Sequence, residues 1–534
     1  CDIRSGDSDA VRAHKISRHL AALGPGMEEW LPVLGDLARL DVPDTRLTRG
    51  LDPQMRQARR FELIERLLLD AARAGPVLAL FEDLHWSDPI SLDLWRRVAG
   101  ALNGQPVLLL AAHRPAALFD AEPDGAHELR LKELSRDQSG DLAAALVGNS
   151  ALPPALVQQL VERADGNPLF LSELLHTVLD KLQVADSTHP RAEGATPAYS
   201  PQSLLAELPD SLHGLLLARI DRLDEASRSV LRLASVIGQR IPFGVLQSIQ
   251  QYDQYTLLRE LVRLDAADMT ALERLEPERV HVFRHALIQE VTYQSMLYAR
   301  RRELHGRIGE YLEQRYADDL DDYCGLLAHH YRLSDRRDKA IDYLLLAGQS
   351  AQAVYANDEA IQSFTWALEA LAGDDADARA WALRDALGDV FATVGRYDEA
   401  LAQHAAILAA PGLVPDAAWR AHRKRGNVLE RQGQYDAALA ALEQAMTVVR
   451  SGAPGISPLA LSMINADIGL VHKRRGEFDL AIAACEAGLS AVQDDPNSFD
   501  DEKTEARLHS ELGGIYGMRG DYARARTHFE RSLA

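Results

Sequence analysis

The chain has 534 residues, with 58 Lys and Arg against 79 Asp and Glu and a formal net charge of −21. That length exceeds one core and implies about three to five domains, and a charge this negative excludes general nucleic-acid affinity, which needs a basic face. No apolar run approaches the roughly 20 residues of a membrane helix, the polar start CDIRSGDSDA lacks a signal-peptide core, and Cys1, Cys324 and Cys485 form no metal or disulfide spacing, so a reducing cytoplasm is the expected compartment.

Residues 1–75 read as helical. Arg56 to Gly75 carries apolar residues at helical spacing and ends in Gly, a C-terminal signal. Pro76 to Phe81 is an apolar run of the length a buried strand needs, and Glu82 and Asp83 follow it directly. Paired carboxylates at the C-terminal end of a buried parallel strand are how P-loop NTPases hold Mg²⁺ and orient the attacking water. One carboxylate serves the metal through water, and the other polarises the nucleophile. The plain alternative is a core strand with a solvated acidic end. Ser87-Asp88-Pro89 opens a helix running to Ala101, and Pro106 to Ala112 is a second buried strand, which together read as a parallel βαβ unit. Arg114, at the end of that second strand, is placed to reach a phosphate held at the neighbouring strand, or else is a surface Arg before Pro115.

Glu128 to Leu134 alternates and reads as an edge strand. Helices are expected at Ser135–Val147 and Ala155–Ala164, and Gly166-Asn167-Pro168 forms a turn leading into another helix. Residues 183–204, rich in Ala, Ser, Thr and Pro, read as a linker. From Leu205 the pattern is helical again, with Ser211 and Glu225 near helix starts, and Leu272 to Phe283 resembles a two-stranded wing. Helices followed by a small hairpin suggest a winged helix. Phe283 to Tyr293, FRHALIQEVTY, puts His285 at the start of an amphipathic helix. Arg300, Arg301, Arg302 and Arg307, diluted by Glu303 and Glu310, read as a solvated or interdomain helix face.

The C-terminal third repeats itself. Gly395-Arg396-Tyr397-Asp398-Glu399-Ala400 recurs from Gly433, from Gly476 and from Gly520. In each block Gly ends one helix, an aromatic packs in the turn, and a small Ala lets the second helix approach. This is the signature of tetratricopeptide repeats, and Lys339 to Leu371 is a degenerate pair of the same kind. Stacked helix pairs make a superhelix with a concave binding surface. A partner or ligand sensor is the functional expectation, and a spacer is the alternative.

EDLHWSDPISLDLW, GNPLF and FRHALIQE, in that order, resemble the signal-transduction ATPases with numerous domains, a class of P-loop NTPases. The likeness is to modules joined to class III adenylate/guanylate cyclases, protein kinases or LuxR-type regulators. The resemblance implies a multidomain fold: an α/β P-loop NTPase core in 1–134 (Walker B and sensor 1), a helical lid in 135–182 with the GNP motif, a winged helix in 205–325 and all-α repeats in 326–534. It implies ATP/ADP and Mg²⁺ as cofactors. Glu82 and Asp83 would stand at metal and water, Arg114 would be sensor 1, Pro168 would lie against adenine and His285 would meet the β-phosphate, although Ala286 replaces the acid that follows the His there. It further implies a signalling switch in which the repeats sense a partner and control an effector such as a cyclase, with ATP-dependent oligomerisation; from the charge and the lack of a long apolar run, no direct nucleic-acid or membrane contact is expected. The alternatives are a non-enzymatic repeat scaffold with a degenerate NTPase core, and a LuxR-type transcription regulator. No G-x-x-x-x-G-K-[ST] stretch occurs in the sequence. The chain opens on Cys and stops inside a repeat, so it reads as a fragment of a longer protein with the P-loop upstream. Slow ATP hydrolysis is expected only with that P-loop.

Overall fold

The computed structural model describes residues 7–38, 40, 42–51, 53–82, 84, 87–114, 127–148, 152–188, 208–249, 252–276, 278–371, 377–453, 456, 459–493 and 502–533. Asp83, one of the two expected carboxylates, lies outside them, as do 189–204 of the expected linker.

The first unit packs α1 (Asp9–Leu23), α2 (Leu31–Ala38) and α3 (Pro53–Ala74) around Leu20, Val33, Leu34 and Leu63. Helix α3 leads into β1 (Val77–Phe81), which pairs in parallel with β2 (Val107–Ala111) across α4 (Pro89–Ala101). Asp88 caps α4, accepting from the Ser91 amide at 2.8 Å, as the Ser-Asp-Pro signal leads one to expect. Two expectations need correction. The strands are half covered rather than buried: α3 packs on β1, while Leu78 (66% exposed) and Leu108 (61%) face outward. Residues 128–134 form no strand, because no neighbour among the described residues offers a ladder; Leu129 and Leu131 stand 84% and 90% exposed. Among the described residues the α/β portion is therefore this two-stranded sheet, and helices dominate the fold.

The second unit is α5 (Arg136–Val147), α6 (Pro154–Ala164) and α7 (Pro168–Thr188), closed over Leu160, Leu171, Leu174 and Val178. Helix α7 runs on through Thr188, past the expected linker start at 183. Next come α8 (Leu212–Asp221), α9 (Glu225–Ile237), β3 (Arg240–Pro242), α10 (Phe243–Ile249), α11 (Gln254–Ala266), β4 (Thr270–Arg274), β5 (Val280–Phe283) and α12 (Ala286–Gln294). The expected two-stranded wing is the β4–β5 hairpin, and β3 adds a third antiparallel strand on β5. Glu173 on α7 and Arg219 on α8 join the two units: Arg219 Nη1 donates to both Glu173 carboxylate oxygens, at 2.8 and 2.7 Å, and Glu173 is buried.

From α13 (Tyr298–Arg315) and α14 (Leu320–Arg332) onward the chain is a stack of helix pairs: α15/α16 (Arg337–Ala353, Asn357–Leu371), α17/α18 (Ala378–Thr393, Tyr397–Leu408), α19/α20 (Pro415–Arg431, Tyr435–Arg450), α21/α22 (Ala460–Arg475, Phe478–Gln493) and α23/α24 (Glu502–Met518, Tyr522–Leu533). One apolar cluster runs unbroken from Leu216 of α8 to Val428 of α19. The wing-bearing unit and the first repeats thus share a core.

Each hairpin is set by two positions sixteen residues apart. Gly348, Gly388, Gly426, Gly469 and Gly513 face Phe364, His404, Leu442, Cys485 and Phe529, and a Cβ on any of these glycines would come within 2.3 to 2.9 Å of its partner. Each hairpin then turns through a residue at φ between 63° and 80°: Tyr355, Gly395, Gly433, Gly476 or Gly520. The amide that follows closes a six-to-one bond, as in Arg396 N to Phe391 O at 2.8 Å and Gln434 N to Leu429 O at 2.9 Å. This is a Schellman stop, which favours Gly because L residues are strained at positive φ. The expected small residues Ala400, Ala438 and Ala481 are fully buried where the second helix meets the first.

Candidate functional sites

The parallel register pairs Phe81 with Ala111, so Glu82 and Arg114 leave β1 and β2 at the same C-terminal edge. Both are exposed. His113 Nδ1 lies 2.9 Å from the Arg114 carbonyl oxygen, to which it donates when protonated at that nitrogen. Of the five expected site residues, the sheet aligns these two. Pro168 is the exposed first residue of α7; Asn167 caps that helix by accepting from the Phe170 amide at 3.0 Å. Gly166, at φ 75°, accepts from the Leu134 amide at 2.8 Å, so the 128–134 segment rests on the Gly-Asn-Pro turn. His285 is the exposed N-cap of α12 and makes no side-chain cap bond. Pro168 and His285 thus open helices in two other units. Among the described residues no group of three or more His, Cys, Asp or Glu side chains is arranged to hold a metal ion, and no helix is long and apolar enough to cross a membrane.

The four arginines singled out in sequence are engaged within the chain. Arg300 bonds Glu303 at 2.6 Å, Arg302 pairs with Asp335, Arg301 lies over the Tyr293 ring at 5.0 Å, and Arg307 donates to the Ile249 carbonyl. Arg301, Arg302 and Arg307 fasten α13 to its neighbours, which is the interdomain reading, while Arg300 pairs along the helix itself. Beside them, His305 and His330 are buried with Nδ1 atoms 3.0 Å apart, and the Tyr293 hydroxyl lies 3.0 Å from His305 Nε2. Burial, reinforced by His329 and Arg301, pushes His305 down to about 4; burial pushes His330 to about 3.

A second site lies on the repeats. The first helices of successive pairs, α15, α17, α19, α21 and α23, touch one another and form a continuous inner layer. Ion pairs cross it from helix to helix. Arg379 reaches Asp338 at 3.1 Å, and Lys424 bridges Asp385 and Asp389 at 2.8 and 2.6 Å. Asp467, 2% exposed, takes Arg423 on one oxygen at 2.6 Å and Arg507 on the other at 2.7 Å. Between α17, α19 and α21 these rungs leave a cavity of about 170 Å³ floored by Trp419, Leu459 and Met463 and rimmed by Asp385, Arg420, Arg423 and Lys424. Sequence reading found the repeats but not this cavity. The Gly-x6-Gly spacing that repeats at 388/395, 426/433, 469/476 and 513/520 was the available signal for which helix faces inward.

Comparison with known proteins adds the following. Residues 135–188, helices α5 to α7, match a family described as a domain of unknown function, DUF8739. An uncharacterised protein of Rhizobium meliloti (strain 1021) is 26% identical over 334 residues, 62% of this chain and 31% of that protein. The chain thus spans about a third of the length of the curated relative it matches. Among solved structures, a signal-transduction ATPase with numerous domains and a tetratricopeptide-repeat sensor from Pyrococcus horikoshii covers 98% of this chain and 75% of its own, at 13% identity and a TM-score of 0.37. MamA from Desulfovibrio magneticus RS-1 covers 36% of this chain and 93% of its own, at 19% identity and a TM-score of 0.27.

Proposed function

We propose that this chain is a protein-binding repeat scaffold in a signalling role, with the inner face of α15 to α23 as its binding surface. What carries the reading is the cavity over Trp419 and Met463, sized for one side chain and set in a rigid layer of first helices. A pocket for a free small ligand is usually two or more times larger, about 300–1,000 Å³. A peptide in extended form would lie along the layer and place one side chain there. The test is selection of a random peptide library on the whole chain, with binding of selected peptides measured on Met463→Arg. That variant fills the cavity and is expected to weaken them by about tenfold or more, the loss of one buried anchor. Unchanged binding in Met463→Arg would sink the reading.

A second reading is favoured by one observation, the alignment of Glu82 and Arg114 at the C-terminal edge of parallel strands. Under it the chain belongs to a nucleotide switch. Glu82 and Asp83 hold Mg²⁺ through water, Arg114 meets the phosphate, and Pro168 and His285 contact ATP or ADP from their helix starts. The repeats then bias an attached effector by population shift. This reading expects the affinity of a selected peptide to change when Mg-ATP replaces Mg-ADP, and expects Glu82→Gln to remove that difference in the protein with its P-loop. Equal affinities in both nucleotides favour the plain scaffold.

A further inference from the structure

We infer that the open face of the β1–β2 sheet is the seat of an amphipathic helix that belongs to the same protein and lies outside these 534 residues. The inference goes beyond the scaffold reading and does not depend on whether the sheet edge holds a nucleotide.

Successive residues of a strand point to opposite faces. The parallel register sets Leu78 beside Leu108 and Leu80 beside Leu110. These leucines form a square on one face, with Leu78 66%, Leu108 61%, Leu80 54% and Leu110 53% exposed. The alternate residues Val77, Ala79, Val107, Leu109 and Ala111 are half-buried. Helix α3 packs on β1 and also touches α4, so both helices of this unit lie on the half-buried face. The leucine face is left open, and no charged side chain of either strand interrupts it.

Parallel topology says what kind of cover is required. An antiparallel sheet can leave one face wet, but parallel strands are joined by crossover helices and occur with both faces covered. Two strands alone are also too few to hold together without a packed layer. The layer already present is helical, and a helix about 10 Å wide spans two strands about 4.8 Å apart. Apolar residues at i, i+3, i+4 and i+7 seat on both rows of leucine at once. The requirement is permanent: the unit needs its cover whenever it is folded, so a partner that comes and goes does not meet it. A segment joined in the same chain does, because tethering keeps its effective concentration high. A second copy fits less well. It brings the same square, and these leucines fall well short of the roughly 800 Å² per partner that a stable interface buries. The part of the curated relative matched by this chain is 31% of that protein, which leaves ample chain for one more helix.

The experiment compares this chain with the whole protein encoded by its gene. All native cysteines are replaced by Ala and Leu108→Cys is introduced; Val262→Cys, on the exposed side of α11, is the control. Thermal melting verifies folding, and Leu78→Cys replaces Leu108→Cys if that variant fails to fold. Maleimide labelling in this chain is expected to run as fast at Leu108→Cys as at Val262→Cys. In the whole protein, labelling at Leu108→Cys is expected to slow by at least about tenfold while the control is unchanged, as for a site reached only through local opening. A benzophenone carried on Leu108→Cys is then expected to cross-link to a segment outside these residues with apolar side chains at helical spacing. A cross-link to an outside segment of alternating, strand-like pattern overturns the helix. A cross-link within the chain, or slow labelling of this chain at low concentration, overturns the inference because the face is then covered from within. Slowing that appears only as the concentration of this chain is raised assigns the face to a second copy and overturns it as well. Undiminished labelling in the whole protein overturns it outright. None of these outcomes bears on peptide binding at the Trp419 cavity, so the scaffold reading stands or falls separately.

Discussion

At the scale of single residues the repeats depend on glycine in two ways, close packing and the left-handed turn, and a glycine that serves neither responds oppositely to substitution. Gly426 has no room for a Cβ, since Leu442 Cγ would lie 2.8 Å away. Gly426→Ala is expected to lower stability by about 1–3 kcal/mol, read as a lower denaturant midpoint at unchanged slope. Gly517 sits in helix α23 with nothing within 4 Å of its would-be Cβ, so Gly517→Ala should raise stability by about 0.5–1 kcal/mol. Tyr355 shows the other requirement. It holds the turn position at φ 63° that glycine holds in the four later hairpins. Tyr355→Gly should therefore stabilise the first hairpin by about 1 kcal/mol, the usual strain of an L residue there. A loss of stability in that variant would mean that the ring contributes more packing than the backbone loses.

At the scale of elements the joint between α7 and α8 is the weak point to probe. Glu173 is buried, and Arg219 donates to both of its oxygens as well as to the carbonyl of Ala267, the residue that caps the end of α11. Arg219→Ala strands a carboxylate in a dry interface and should cost about 3–5 kcal/mol. The paired change Glu173→Leu with Arg219→Met removes both charges and should restore most of that loss. Chemical denaturation checks it: the midpoint should fall in the single variant and return towards wild type in the double one.

The same scale shows how much was legible beforehand. Helix starts were readable because a side chain announces them: Asp88 before Pro89, Ser211 before Leu212, Asn167 before Pro168. Hairpins were readable because Gly, aromatic and Ala recur in order. The strand expected at 128–134 failed because alternation states only that a segment could pair, and pairing needs a neighbour. Burial of β1 and β2 failed for the same reason, since apolar runs do not say what covers them. Of the candidate nucleotide residues, sequence order placed Glu82 and Arg114 on one edge because the first directly follows β1 and the second comes three residues after β2. Pro168 and His285 depend on how separate units pack, which local pattern does not encode. The Trp419 cavity was invisible for a related reason: its walls come from three helices spread over 385–463.

At the scale of the whole molecule, one core spans the wing-bearing unit and the first repeats, and a pair of neutral histidines sits at their junction. Both histidines are held below the usual 6.5, so the unfolded chain takes up protons before the folded one does as pH falls. Folding stability should therefore be unaffected by them above about pH 7 and should decline from pH 6.5 towards 4. The limit is about 1.4 kcal/mol per pH unit for each histidine. His329, Arg301 and Arg332 also oppose a proton on His305, and His305 and His329 oppose one on His330. Denaturation at pH 7.5 and 5 measures the slope, and His330→Gln should flatten it. An equal slope in that variant would place the acid sensitivity elsewhere.

The sixteen-residue distance between each inner glycine and the side chain that lies on it is constant in all five hairpins, whereas the glycines themselves stand 40, 38, 43 and 44 residues apart. The variation in length therefore falls outside that sixteen-residue unit, in the connections between hairpins and in the helix ends that flank them. Length drift has been absorbed where it changes only the pitch from one hairpin to the next. Extra residues at 409–414 should re-aim the later hairpins as a hinge pin sets the angle of a door, leaving each leaf intact. One residue added between Gly388 and His404 would instead unseat the pair on which that leaf closes. A lineage could thus lengthen, shorten or bend this superhelix by whole hairpins, and so fit a new partner without redesigning any single fold unit.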